Sequence, residues 1–318
     1  MTFLYVTMGV ILFLALITLI ASYICFRMTF YYKDVFDENE FSLPDGEIYK
    51  VYRDVMYGWA KEVKGTEKEI FKIKSFDGLT LVGKYYEYKK GAPIELMMHG
   101  YKGRAERDLC GGVQRCFSLG RNALIVDQRA CGRSEGRVVS FGINEKRDCL
   151  AWIDFLNYHF GRNVKIILTG ISMGASTVLM AAGEELPENV VGVLADCGFT
   201  SAKEIIKKTI RDMKLPANLL YPFVKLGAKL FGKFDLEKES AIESVKKMSL
   251  PVIFFHGEAD DFVPCDMSKE NYEACASPKR LVTVAGAGHG LGFLVDQKAY
   301  LEAMAEFFTQ NGIPTKIV

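Results

Sequence analysis

Residues 164–177 constrain the fold of this chain more than any other stretch of its sequence. The apolar run at 164–168 is typical of a buried strand, and the Ala- and Met-rich run at 173–182 is typical of a helix. Between them the sequence reads Gly-Ile-Ser-Met-Gly, with the serine at position 172. Glycine on each side permits a sharp strand-to-helix turn, because a Cβ at either position would clash with the neighbouring backbone. Such a turn is expected to hold the Ser172 hydroxyl above the sheet, at a helix N-terminus that favours developing negative charge.

This pentapeptide alone does not decide the function. A glycine-rich loop whose serine merely caps the following helix would read the same way. The distinction depends on whether the rest of the sequence supplies a base and an acid for that serine.

The composition is that of a folded protein with a large core. The chain has 318 residues, of which 49% are hydrophobic and 25% are charged, so we expect one large domain with appendages. The formal net charge is +1, and no basic run with interleaved aromatic residues occurs. These features argue against a nucleic-acid-binding protein.

The N-terminal segment is apolar enough to cross a membrane. Residues 3–26 contain no charged side chain, and a helix of that length spans a ~30 Å hydrocarbon core at ~1.5 Å per residue. No Lys or Arg precedes this run, which is longer than the apolar part of a signal peptide, so a single-pass anchor over residues 1–28 is expected. Cleavage near Ser22 is the alternative. Arg27 and Lys33 follow the run, which favours a cytoplasmic C-terminal domain by the positive-inside rule.

The eight cysteines show neither a C-x-x-C pair nor a spacing with histidine that is typical of a metal site. We therefore expect reduced core thiols and no structural metal. No nucleotide or flavin motif is visible either, so no cofactor is expected.

Short apolar runs alternate with helical patterns over most of the chain. Six runs read as central strands: 94–98, 123–126, 164–168, 190–195, 252–255 and 281–284. Helical patterns lie between and after them, at 107–119, 145–160, 173–183, 266–276 and 293–309. A hairpin at 70–88, with its turn at Asp77-Gly78, precedes the first of them. The pattern predicts an α/β fold with a mostly parallel eight-stranded sheet and helices on both faces.

A connector at 29–67 joins the anchor to this domain. Residues 45–61 are predicted to form a helix, because aromatic and apolar residues recur there at near-helical spacing. These side chains could lie at the membrane interface or pack onto the domain, and we expect the second.

Three loops at strand ends carry the candidate chemistry, where binding sites of such sheets lie. The loop after the third strand reads His99-Gly100-Tyr101, and the Tyr101 N–H is predicted to form an oxyanion hole with the Met173 N–H. A structural role is expected for the His99 side chain. His289 lies in a glycine-rich loop near the end of the last strand and is the candidate base for Ser172.

A carboxylate is needed to fix the tautomer of that histidine and to stabilise the imidazolium. Three candidates follow the strand at 252–255: Glu258, Asp260 and Asp261. From the residues alone the choice stays open. The order serine, acid, histidine is that of hydrolases built on this type of sheet.

Taken together, these motifs resemble the α/β-hydrolase superfamily over residues 68–310, in its serine aminopeptidase-like and acyl-esterase branch with an N-terminal membrane anchor. They are His99-Gly100-Tyr101, Asp127-Gln128-Arg129, Gly132-Arg133-Ser134-Glu135-Gly136, Gly170-Ile171-Ser172-Met173-Gly174, His256-Gly257 with Asp260 and Val263-Pro264, and Gly288-His289-Gly290. The resemblance implies that the acid is Asp260 and that the fold is an α/β-hydrolase fold. It also exposes one departure, since Ala130 stands where the family has a glycine. Cys131, beside it, is expected to be a packing thiol.

The insert at 202–248 lies where such enzymes carry a short helical lid. Its part at 202–233 holds eight Lys or Arg and two acidic residues beside an apolar helix face. It could lean on an anionic bilayer, or it could pack its apolar face on an acyl pocket, which we favour.

The expected organisation is an anchor at 1–28, a connector at 29–67 and a hydrolase domain at 68–314. The expected function is a serine hydrolase that cleaves ester or thioester bonds of an acyl substrate through Ser172, His289 and Asp260. The alternatives are an aminopeptidase of the same fold and an inactive membrane-anchored binding module. The oligomeric state and the physiological substrate are not predicted.

Overall fold

The computed structural model describes residues 1–34, 43, 46–313, 315 and 317, and it begins with one long apolar helix. Helix α1, Thr2–Thr29, is long and apolar enough to cross a membrane, and its most apolar part is not packed inside the protein. Toward its C-terminal end, however, Ser22 and Phe26 are buried. The predicted helix is confirmed, and its final turns belong to the folded domain.

Eight strands form a single sheet, as predicted. The strands are β1 Glu69–Lys74, β2 Thr80–Tyr86, β3 Ile94–Met98, β4 Asn122–Asp127, β5 Ile166–Ile171, β6 Val190–Asp196, β7 Val252–Gly257 and β8 Lys279–Val284. Their order is β1-β2-β4-β3-β5-β6-β7-β8. Strand β2 pairs antiparallel with β1 and β4, and every other neighbouring pair is parallel. The carboxyl ends of β3 to β8 therefore meet at one edge of the sheet, where the candidate site lies.

Helices cover both faces of this sheet. They are α2 Glu47–Lys50, α3 Arg53–Gly65, α4 Ala105–Asp108, α5 Cys110–Ser118, α6 Ile143–Phe160, α7 Met173–Ala182, α8 Ala202–Asp212, α9 Ala217–Gly227, α10 Ala241–Val245, α11 Cys265–Ala274, α12 Gly292–Val295 and α13 Gln297–Gln310, with a π-helical turn at Ala228–Gly232. Helices α6, α7, α10 and α11 pack on one face, and α5 and α13 pack on the other. This confirms the α/β-hydrolase fold.

Three predicted helices are each divided in two. The pattern at 293–309 breaks at Asp296, whose carboxylate accepts the Ala299 N–H at 2.9 Å and so starts α13 afresh. The pattern at 107–119 becomes α4 and α5. The pattern at 45–61 becomes α2 and α3, and α3 runs on to Gly65, while Asp45 lies outside the described residues.

The insert at 202–248 forms α8, α9, the π-helical turn and α10, and it packs against the end of α1. Gly227 lets the two helices approach closely, because a Cβ there would lie 2.4 Å from the Ser22 carbonyl oxygen. Phe26 contacts Phe231, with ring centroids 5.8 Å apart. The apolar face of the insert is thus shared between the domain and the N-terminal helix.

Candidate active site

Both glycines of the 170–174 turn are sterically required, as the sequence predicts. A Cβ on Gly170 would lie 2.2 Å from the Gly174 carbonyl, and a Cβ on Gly174 would lie 2.0 Å from the Met98 carbonyl oxygen. Ser172 between them adopts φ +57° and ψ −121°, a strained conformation for a residue with a side chain. The turn holds Ser172 at the start of α7 and at the carboxyl edge of the sheet.

Three side chains from three separate loops form a continuous hydrogen-bonded line. His289 Nε2 lies 2.9 Å from Ser172 Oγ, and His289 Nδ1 lies 2.7 Å from Asp260 Oδ2. Ser172 and Asp260 are buried, and His289 is partly exposed. In this arrangement Nδ1–H donates to the carboxylate, so Nε2 is free to accept the serine proton. The structure therefore brings together the three residues that the sequence singled out for a catalytic triad.

The Asp260 carboxylate is held by four donors. Its Oδ1 accepts the Phe262 and Val263 N–H groups at 2.9 and 2.8 Å, and its Oδ2 faces His289 and, at 3.2 Å, the Nε2 of His256. Burial would raise the pKa of this carboxyl, but the hydrogen bonds from the two histidines and from Val263 outweigh it and hold the pKa well below its usual range. Asp260 is therefore a stable anion beside the imidazole.

The other two candidate carboxylates lie elsewhere. Glu258 accepts a hydrogen bond from Thr283 at 2.7 Å, and Asp261 is exposed. The sequence analysis named His256 within a motif but gave it no role; it is fully buried and also contacts Ser268 Oγ at 2.6 Å. Its only signal is its place at the end of β7, four residues before Asp260.

Two backbone N–H groups near Ser172 lack a hydrogen-bond partner among the described residues. Neither the Tyr101 N–H nor the Met173 N–H donates to another group among the described residues. Gly100 keeps the first of these loops close, since a Cβ there would lie 3.5 Å from Ser172 Cβ. Both donors predicted for an oxyanion hole are thus available beside Ser172, and that role remains a proposal.

A cavity of about 230 Å³ opens at Ser172 and His289. Its walls are mainly apolar and aromatic, including Met56, Trp59, Phe262, Phe293 and Leu294. Apolar walls with a few polar groups are typical of small-molecule sites, and this volume suits an acyl chain of moderate length or one aromatic ring.

The connector helices α2 and α3 cover this cavity. The Tyr49 hydroxyl donates to the His289 carbonyl at 3.0 Å, and the Trp59 ring stacks on Phe293 with centroids 5.5 Å apart. Trp59 also lies against Gly111, where a Cβ would come within 2.6 Å of the indole. The connector aromatics pack onto the domain, as expected, but their place at the site was not predicted.

The insert at 202–248, which was predicted to be a lid, does not cover the cavity. None of the residues that line the cavity comes from the 202–248 insert, so the expectation that its apolar face covers an acyl pocket is corrected. The apolar face of the insert is instead buried against the domain and against apolar side chains of α1.

The remaining singled-out residues are structural. His99 is fully buried, with its Nε2 accepting the Gln128 N–H at 3.0 Å and its Nδ1 lying 2.8 Å from the Gly100 carbonyl oxygen. Cys131 is a fully buried thiol in an apolar cluster. Ala130 adopts φ +66°, the left-handed region, which explains why a glycine is usual there.

The cysteines whose side chains are described are all free thiols. One of them, Cys197, lies with Asp260 and His289 in the single trio among the described residues whose ligand atoms are within 4.8 Å of one another. The acid and the histidine of this trio are already hydrogen-bonded to each other, so the trio is part of the Ser172 site.

Comparison with known proteins agrees with this fold. The sequence profile of the prolyl oligopeptidase family, Peptidase_S9, matches residues 140–312. Uncharacterized protein YqkD of Bacillus subtilis (strain 168) is 27% identical over 266 residues, which cover 77% of this chain and 87% of the relative.

Two solved structures illustrate the range of proteins that share the fold. The Pyrococcus furiosus esterase Pf2001 has a TM-score of 0.65 at 22% identity, covering 88% of this chain and 98% of the esterase. The Pyrococcus horikoshii acylaminoacyl peptidase has a TM-score of 0.57 at 16% identity, covering 80% of this chain and 43% of the peptidase. Both likenesses confirm the resemblance to α/β-hydrolases that the motifs indicated.

Proposed function

This chain belongs to the prolyl oligopeptidase family, and from that premise we propose that it is a membrane-anchored serine hydrolase that cleaves ester or thioester bonds through an acyl-enzyme on Ser172. Esterase and peptidase neighbours of the same fold support hydrolase activity. The observation that carries the proposal is the line from Asp260 through His289 to Ser172, with distances of 2.7 and 2.9 Å.

Each group in that line has a defined step. His289 Nε2 removes the Ser172 proton as Oγ attacks the acyl carbonyl, and the ionised Asp260 stabilises the imidazolium that forms. The oxyanion is bound by the Tyr101 and Met173 N–H groups. His289 then protonates the leaving alcohol or thiol, and a water molecule activated by the same histidine releases the acid.

The cavity supports an acyl substrate of moderate size. Its aromatic and aliphatic walls favour an apolar acyl group, and the cap formed by Tyr49 and Trp59 excludes water from one side of the ester. The preference for an acyl substrate, which the sequence analysis based on an apolar lid, is therefore supported by the cavity walls instead.

A peptidase is the second candidate. The family is named for peptidases, and two carboxylates on the cavity wall, Asp108 and Asp196, are of the type that would hold a substrate ammonium. Each is already balanced by a neighbouring cation: Arg107 Nε donates to Asp108 at 2.6 Å, and Asp196, which accepts the Tyr300 hydroxyl on Oδ2 at 2.8 Å, also interacts electrostatically with Arg115. We therefore rank ester hydrolysis first.

The membrane location is also a proposal. Helix α1 is long enough to span a bilayer, and Arg27 and Lys33 after its apolar run favour a cytoplasmic catalytic domain. Digestion of intact cells with an external protease should leave the domain whole. Loss of the domain would place it on the outer side.

Hydrolysis is tested on the full chain in detergent, because the final turns of α1 are packed into the domain. Wild type and Ser172→Ala are assayed on p-nitrophenyl esters of increasing acyl length and on one amino-acid p-nitroanilide, with fluorophosphonate labelling in parallel. Ester turnover and labelling that vanish in Ser172→Ala support the proposal. Turnover of the anilide alone would make the protein a peptidase. If neither turnover nor labelling is observed, the protein is instead an inactive binding module.

A further inference from the structure

The cavity below Ser172 ends on a buried ion-pair cluster that ester cleavage does not use. Arg115 lines the cavity, and its Nη2 donates to Glu95 Oε2 at 2.9 Å. Arg121 donates to the other oxygen of the same carboxylate at 2.5 Å. The Thr169 hydroxyl, also on the cavity wall, shares Glu95 Oε2 with Arg115 at 3.0 Å.

One donor in this cluster has no partner in the part of the chain that the structure describes. Arg115 is only 7% exposed, yet its Nε–H makes no hydrogen bond with any described residue. Buried donors almost always have a hydrogen-bond partner, because an unpaired donor loses its hydrogen bonds to water and gains none in exchange. Asp196, on the same cavity, accepts the Tyr300 hydroxyl on Oδ2 and no bond from a described residue on Oδ1. Away from Ser172, Arg115 and Asp196 thus offer the cavity an unpaired donor and an unpaired acceptor.

The formal charges around the deep end cancel. Glu95 and Asp196 carry two negative charges, and Arg115 and Arg121 carry two positive ones. A bound anion would leave a net negative charge in a buried site, which is costly. An uncharged oxygen can accept from the Arg115 Nε–H at no such cost.

The depth of the site sets the length of the ligand. Arg115 and Thr169 meet the same Glu95 oxygen, so they lie at one level of the cavity. Thr169 lies on β5, three residues before Ser172, which directly follows the end of that strand, so the two are about 10 Å apart at ~3.3 Å per residue. An extended chain of ~1.5 Å carbon–carbon bonds advances ~1.25 Å per bond, so about eight atoms cover this distance.

We propose that the deep end of the Ser172 cavity binds an uncharged oxygen at the far end of the substrate acyl group, with Arg115 Nε–H as its donor. The substrates are then esters or thioesters of ω-hydroxyalkanoic or hydroxyaryl-alkanoic acids. This inference rests on the proposed ester hydrolysis and narrows its substrate class.

The test compares matched esters with one leaving group on the full-length protein. Octanoyl, 8-hydroxyoctanoyl and 7-carboxyheptanoyl p-nitrophenyl esters differ only at the distal end, and 3-(4-hydroxyphenyl)propanoyl against 3-phenylpropanoyl gives a rigid pair. Wild type should show a kcat/KM about tenfold or more higher for each hydroxylated ester, the value of one hydrogen bond to a charged group. Shorter ω-hydroxy esters should show no such preference.

Arg115→Lys removes the Nε–H donor but keeps a positive charge beside Glu95. The hydroxyl preference, which is the ratio of kcat/KM for the hydroxylated and plain esters within the same variant, should fall to about twofold or less. Arg121→Lys is the matched control, because Arg121 pairs with the same carboxylate but is not among the residues that line the cavity. It should keep the preference. No preference in wild type, an unchanged preference in Arg115→Lys, or a preference for the carboxylate-terminated ester overturns the proposal.

A binding measurement separates this inference from the proposed function. The affinity of Ser172→Ala is measured for the methyl esters of octanoic and 8-hydroxyoctanoic acid. This measurement requires neither turnover nor an Arg115 variant. Tighter binding of the hydroxy ester, by about tenfold, supports the deep site even if wild type cleaves neither ester. Equal affinities refute it even if wild type is an active esterase.

Discussion

Gly174→Ala tests whether activity depends on the position of Ser172 rather than on its presence alone. The added Cβ would lie 2.0 Å from the Met98 carbonyl oxygen, 2.5 Å from its carbon and 2.6 Å from the His99 oxygen. Carbon–oxygen contacts settle near ~3.3 Å, so the first turn of α7 must move by about 1.3 Å away from the end of β3.

That movement carries the reactive groups with it. Ser172 and the Met173 N–H lie at the start of α7, so both the 2.9 Å contact to His289 and the proposed oxyanion donor are displaced. A misplacement of about 1 Å at reacting atoms costs on the order of 10²-fold, and we expect kcat/KM to fall by that factor. Overpacking should also cost about 1–3 kcal/mol of unfolding free energy.

The assay is ester hydrolysis with fluorophosphonate labelling and thermal unfolding on the same samples. Gly58→Ala is the matched control, because Gly58 lies inside α3 with no atom within 4 Å of the new Cβ. It should keep full activity and gain up to about 1 kcal/mol from helix propensity. A folded Gly174→Ala protein with kcat/KM within about threefold of wild type would refute the reasoning.

Three further predictions concern the acid, the buried ion pairs and the backbone. Asp260→Asn should lower kcat by about 10⁴-fold, because an amide no longer fixes the tautomer of the histidine, and activity within tenfold would assign the acid elsewhere. Burial would raise the pKa of Glu95, but Arg115 and Arg121 outweigh it and hold the pKa at about 2. The stabilisation from this carboxylate is therefore present above its unfolded pKa near ~4.3 and lost as pH falls toward 2. Glu95→Gln should be about 3–5 kcal/mol less stable at pH 7, and its Tm deficit should shrink between pH 5 and pH 2; a constant deficit would contradict this. Ala130→Gly should raise Tm by about 2–4 °C, because it relieves a left-handed alanine at φ +66°, and a lower Tm would show that the position is not strained.

The arrangement of the proposed catalytic residues was predictable because each of them has a local signal. Ser172, Asp260 and His289 each follow a strand of the parallel sheet, and the carboxyl ends of such strands meet at one edge whatever the loops contain. The glycines at 170 and 174 are likewise dictated by contacts within a few residues and with one neighbouring strand. Local chemistry and sheet topology therefore suffice for this part of the site.

The cap over the cavity was not predictable by the same reasoning. The contact between Tyr49 and His289 joins residues 240 positions apart, and no pattern in α2 or α3 shows which surface their aromatic side chains cover. The packing partner of the insert at 202–248 was wrongly predicted for the same reason. Its apolar face was correctly recognised, but apolar burial is non-directional, so the face could equally pack on a pocket or on another helix.

Contacts between the C-terminal end of α1 and the domain determine how the proposed anchor holds the domain. The Tyr101 hydroxyl donates to the Thr29 carbonyl, and Lys102 Nζ donates to the Met28 carbonyl at 3.2 Å. The loop that carries one proposed oxyanion donor therefore binds the end of α1 directly. Asp34 then pairs with Arg104 at 2.6 Å. An anchor joined by a free linker would leave the domain to tumble above the bilayer. If α1 spans the membrane, as proposed, these contacts fix the domain against it, and the cavity meets its substrates in one orientation.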